Sequence, residues 1–148
     1  MNTFTAICLL LCASLAMGMD LPDDVVKCIK DLNLDRSHIE SILSNDSDKF
    51  LPENDTQFNL FFFCYWKSIE FQNEDGTFNS DKIVKRISTA ARKHYGGKPD
   101  DNTPIGVEIR TQAVFSCKNI PAGESHGQTA LRMTNCIDKH LFAILGKL

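Results

Sequence analysis

Long apolar runs are scarce in this sequence. The most prominent, residues 6–17 (AICLLLCASLAM), is twelve residues long, short of the roughly 20 that a membrane-crossing helix needs. Small residues follow it at spacing two, Ala16 and Gly18, which suits cleavage of a leader after Gly18, with Ser14-Leu15-Ala16 as the other site. The stretch MNTFT ahead of the run has no Lys or Arg, so only the terminal amine supplies positive charge. The expectation is a secretory signal peptide over residues 1–18, one domain over 19–148, and release to the extracellular space without stable membrane insertion.

An excess of basic residues is also missing. Sixteen Lys and Arg face nineteen Asp and Glu, giving a net charge of -3. That argues against nucleic acid, which selects a basic footprint. Catalytic signatures are absent too: there is no G-x-S-x-G and no phosphate-cradling glycine loop. Ser125 and His126 are adjacent, but adjacency does not build a triad. The histidines, His38, His94, His126 and His140, are scattered, with no HExxH and no pair at i, i+4. No metal, no cofactor and no enzymatic activity are therefore expected.

What is present starts with cysteine. Six occur; Cys8 and Cys12 would leave with the leader, and Cys28, Cys64, Cys117 and Cys136 would stay. An even number in a secreted chain reads as a disulfide frame. Zinc sites usually bring two ligands within a few residues, and no two of these four are that close. Four cysteines can pair in three ways, and their order alone leaves all three open.

The periodicity is helical throughout, and no strand pattern competes over a long stretch. Pro22-Asp23-Asp24 opens a first helix carrying Val25, Cys28, Ile29 and Leu32. Ser37-His38-Ile39-Glu40 has the form of a capping box for a second. A third runs from about Thr56 to Phe71; its apolar residues cover most of its circumference, which marks it as the central buried element. Ser80 is read as the cap of a fourth helix reaching about His94, with Ile83, Val84 and Ile87 inward. Pro104 starts a fifth, ending at Cys117, with Val107, Ile109, Val114 and Phe115 inward. A sixth carries Met133, Cys136, Ile137, Leu141 and Ile144.

Phe63-Cys64-Tyr65-Trp66, followed by Asn73-Glu74-Asp75-Gly76-Thr77-Phe78-Asn79, resembles the third cysteine of insect odorant-binding proteins and the turn after it. The family's six-cysteine form places its second cysteine four residues before the third, where this chain has Leu60. It places its fifth nine before the last, where this chain has Gly127. Those two bond each other in the family, so the chain resembles its four-cysteine, minus-C branch, over its whole mature length. The resemblance implies an all-α fold, a compact bundle of about six helices around an apolar cavity. It implies the disulfides Cys28–Cys64 and Cys117–Cys136. It further implies a carrier for small hydrophobic ligands (odorant, pheromone or lipid-like). Without the Leu60–Gly127 bond, the helices bearing those residues are expected to move apart more freely.

Nine of the ten phenylalanines lie beyond residue 18. Such a stripe packs a core or lines a pocket, and the resemblance favours a pocket. Facing positions give its expected lining: Phe62, Trp66 and Ile69 on the third helix, Ile83 and Ile87 on the fourth, Val114 and Phe115 on the fifth, and Met133, Ile137 and Leu141 on the sixth. Trp66, Tyr95 and His140 are the polar handles. His140, four residues after Cys136, is the candidate pH switch, since protonating an imidazole there would loosen the last helix. Asn45-Asp46-Ser47 and Asn54-Asp55-Thr56 fit the N-glycosylation pattern at Asn45 and Asn54. The alternative function is a secreted helical signalling or host-interaction protein acting through its surface.

Overall fold

The computed structural model describes residues 21–45, 50–87 and 104–145. The leader over 1–18, the domain limits, Tyr95 and the fourth helix beyond Ile87 lie outside them. Among the described residues six helices follow in order: α1 (Asp23–Asp31), α2 (Arg36–Leu43), α3 (Thr56–Ser68), α4 (Ser80–Arg86), α5 (Pro104–Ser116) and α6 (His126–Leu145). Among the described residues there is no strand, only an isolated bridge between Gln72 and Phe78. The fold is all-α, as the sequence indicates.

The ends of α1 and α3 obey one local rule. In each, the residue after the C-cap takes a left-handed backbone, Asn33 at φ 49° and Glu70 at φ 61°. The following N–H reaches back over the last turn, Leu34 to the Ile29 carbonyl at 2.9 Å and Phe71 to the Trp66 carbonyl at 2.8 Å. These are Schellman closures, each sealed by an apolar pair. They end α3 at Ser68 rather than at Phe71.

The helix starts differ from expectation by a residue or two. Asp35, not Ser37, caps α2, its carboxylate accepting from the His38 N–H at 3.2 Å. Its own N–H is held at 3.0 Å by Gln57 Oε1, so a contact from α3 fixes where α2 begins. Glu40, expected to close a capping box, pairs instead with Arg36 at 2.7 Å. Asn79, not Ser80, caps α4, accepting from the Lys82 N–H.

Asp55 caps α3 by accepting from the Phe58 N–H at 2.8 Å, and it also meets His38 Nε2 at 2.7 Å. Burial pushes its carboxyl up, but the Phe58 N–H, the His38 ring and Gln57 outweigh that and leave its pKa below the usual value. A carboxylate with a lowered folded pKa stabilises above its unfolded pKa, and that stability is lost as pH falls through the folded value. Asp55→Ala is therefore expected to cost about 1 kcal/mol at neutral pH. The gap to wild type should close as pH drops below about 4, read by urea melts at pH 7 and pH 3.

Packing centres on α3. It makes its most extensive contact with α6; α6 packs on α5, α5 on α4, and α1 and α2 lean on α3. Disulfides Cys28–Cys64 and Cys117–Cys136 join α1 to α3 and the residue after α5 to α6, with Cα separations of 5.8 and 5.9 Å. This is the pairing that the resemblance implies. Phe58, Phe61, Phe62 and Trp66 of α3 are buried, in one cluster with Ile39, Ile83, Val114, Leu131, Met133 and Ile137.

Candidate functional site

An aromatic row runs along the inner side of α3. Ring centroids are 5.7 Å apart from Phe58 to Phe62 and 5.4 Å from Phe62 to Trp66. Trp66 then meets Phe71 and Phe78 edge-on at 5.5 and 5.8 Å. The i, i+4 spacing stacks the first three on one face, and the Schellman closure swings Phe71 under Trp66. The turn that brings Phe78 round is tied by Thr77, whose N–H and hydroxyl both donate to Asp75.

The expected lining residues are mostly interior. Phe62, Trp66, Ile83, Val114, Met133, Ile137 and Leu141 are buried, and Ile69 and Ile87 are partly buried against the same cluster. Phe115 is the exception, at 52% exposure. The buried face of α5 consists of Gly106, Arg110, Ala113 and Val114, and Phe115 lies one residue, about 100°, beyond it. Val107, also expected inward, is 42% exposed for the same reason.

The α3–α6 seam is closer than a missing disulfide suggests. A Cβ placed on Gly127 would lie 1.8 Å from the backbone oxygen of Asn59. The two backbones therefore touch where the resemblance puts the fifth cysteine, one residue from the position of the second. Leu60 itself points outward at 51% exposure. The helices meet here backbone to backbone.

Side-chain amides tie the segments that flank α3 to α6. Asn135 Oδ1 accepts from the Leu51 N–H at 2.8 Å, while its Nδ2 donates to the Leu51 carbonyl at 2.9 Å and to Glu53 at 3.0 Å. Buried Gln128 donates to the Glu53 carbonyl at 3.1 Å and to Asn54 Oδ1 at 3.3 Å. Gln72 Nε2 donates to the carbonyls of Gly76 and His126. These amides look like ordinary surface polar residues in the sequence. Only the lone glycine opening an apolar helix signals a close approach there.

Arg110 is the single buried charged residue among those described. Its Nε donates at 3.1 Å to the Val84 carbonyl in the last turn of α4. It is spaced four from both Gly106 and Val114, so the inward stripe could have revealed it.

The remaining candidates are dispersed. His140 lies beside the second disulfide: a ring nitrogen and the sulfurs of Cys117 and Cys136 are all within 4.8 Å of one another. Asn54 is engaged by Gln128, and Asn45 is exposed at the end of α2. An open recess of about 150 Å³, lined by Ser41, Ile42, Asn45, Phe50, Leu51 and Pro52, lies away from the aromatic row.

A family model described as the PBP/GOBP family matches residues 20–140. No curated protein and no solved structure matches.

Proposed function

The chain belongs to the PBP/GOBP family of insect odorant-binding proteins, a family of carriers, and from that premise we propose that it is a secreted carrier binding a small apolar ligand against the aromatic row of α3. The observation that supports this reading is the continuous apolar interior from Phe58 through Trp66 to Ile83, Val114, Met133, Ile137 and Leu141. The ligand enters by displacing side chains of this cluster, with no covalent chemistry performed on it. A ligand removing about 350 Å² of apolar surface from water gains about 9 kcal/mol from transfer, against association costs of about 4 kcal/mol or more. The two disulfides favour an oxidising, extracellular setting. Leu60 and Gly127 in place of cysteines place the chain, on this reading, in the minus-C branch.

Trp66 is the only tryptophan, so its emission reports on this site alone. The test is titration of the disulfide-intact protein with a fluorescent apolar probe, followed by displacement with fatty acids and volatile alcohols. Saturable one-to-one binding that changes Trp66 emission is expected. Phe62→Ala should weaken binding about tenfold through lost apolar contact, and Phe115→Ala should leave it unchanged. Absence of saturable binding, or equal effects of the two variants, overturns the proposed site.

A further inference from the structure

One cluster of metal-ligating atoms stands apart from the aromatic row. Cys136 and His140 sit one turn apart on α6 and so share a face. Cys117 joins them from the end of α5, and its sulfur, that of Cys136 and a ring nitrogen of His140 lie within 4.8 Å of one another. Among the described residues no His, Asp or Glu completes such a set around Cys28 and Cys64. Cys117 is buried, while Cys136 and His140 are partly exposed. An ion therefore has a route in from the His140 side.

We propose that Cys117, Cys136 and His140 form a latent zinc site, closed while the disulfide is intact and assembled when it is reduced. In the disulfide the sulfurs share a bond and carry no charge, so they are poor ligands. A low-molecular-weight thiol opens the bond: two thiol molecules are oxidised to one external disulfide, and Cys117 and Cys136 each gain a hydrogen. Zn²⁺ then binds both sulfurs as thiolates, releasing two protons to solvent. The imidazole binds neutral through its nitrogen, and water takes the fourth position. Two thiolates and one imidazole suit a soft-tolerant, tetrahedral ion. Zinc ligand atoms sit about 3.5–3.8 Å apart in a tetrahedron with bonds of about 2.0–2.3 Å. The sulfurs must therefore part, and the nitrogen need move in by no more than about 1 Å. The result replaces a covalent staple between α5 and α6 by a coordinate one.

The test uses the full mature chain with both disulfides reduced by a phosphine, titrated first with Co²⁺ and then with Zn²⁺. Expected are one bound ion per chain, thiolate-to-cobalt charge-transfer bands with the visible bands of four-coordinate Co²⁺, and displacement by Zn²⁺. His140→Gln keeps a side chain of similar size, and circular dichroism checks its helices. It should bind at least about tenfold more weakly, since even a supporting group around a metal accounts for about 10–100-fold. A Cys28→Ser/Cys64→Ser variant should keep the site. Absence of stoichiometric binding, or a His140→Gln loss smaller than about tenfold, overturns the proposal. The second result would assign the ion to the thiols alone, and should the double serine variant not fold, the His140→Gln comparison decides by itself.

Discussion

Gly127→Val is expected to lower stability by about 3 kcal/mol or more, which for a domain of this size shifts the melting temperature by about 10 °C. The reason is the identity of the obstructing atom. The first atom of any side chain at 127 would sit 1.8 Å from the Asn59 carbonyl oxygen, well inside van der Waals contact. A flexible side chain could swing aside, but a backbone oxygen inside α3 moves only with its helix. Separating α3 from α6 here would also stretch the bonds from Gln128 to Glu53 and Asn54, and from Gln72 to His126. Gly127→Ala should show most of the same loss, because it already carries the offending Cβ. Leu60→Cys with Gly127→Cys should fail to restore the family's third bond without destabilising the protein. Thermal melts of the three variants check this; a Gly127→Ala protein as stable as wild type would show that the seam relaxes.

Removing the Cys28–Cys64 disulfide by a double serine substitution is expected to cost about 4 kcal/mol, against about 3 kcal/mol for Cys117–Cys136, from the loop lengths alone. The sequence separations are 36 and 19. Structural context widens the difference. Among the described residues α1 makes its one extensive helix contact with α3, so the first bond carries much of that attachment. The second joins α5 and α6, which already share a broad contact. Urea denaturation with proteolysis of the native state separates the effects: loss of the first bond should expose α1 to cleavage well below the global transition, and loss of the second should not.

Much of the fold was legible in the sequence. The 3.6-residue spacing of Val25, Cys28 and Ile29, and of Met133, Ile137 and Leu141, put helices where they occur, and the density of Phe58, Phe61, Phe62 and Trp66 marked α3 as the hub. Less legible was anything that depends on a second element. Asp35 rather than Ser37 caps α2 because Gln57, 22 residues on, holds it. Phe115 is exposed because α5 turns Gly106, Arg110 and Val114 inward, and a helix apolar on several sides does not announce which side will be covered. Arg110 is not legible because a charged residue in a helix reads as solvated until the carbonyl it reaches, here that of Val84 on another helix, is known. In the sequence Gly127 stands out for the cysteine it replaces, whereas its structural part is the absence of a side chain.

The amide clasp between α6 and the segment before α3 also bears on the order of assembly. Its contacts join residues 74 to 84 positions apart, as between Gln128 and Asn54 or Asn135 and Leu51. Drawing together the ends of so long a loop costs more chain entropy than closing a short one, and contacts of this range set the pace of folding. The helical hairpin of α5 and α6, bridged over 19 residues, is therefore expected to form early, and the clasp last. A refolding chain would hold its C-terminal hairpin ready and complete its interior only when the segment before α3 docks along α6.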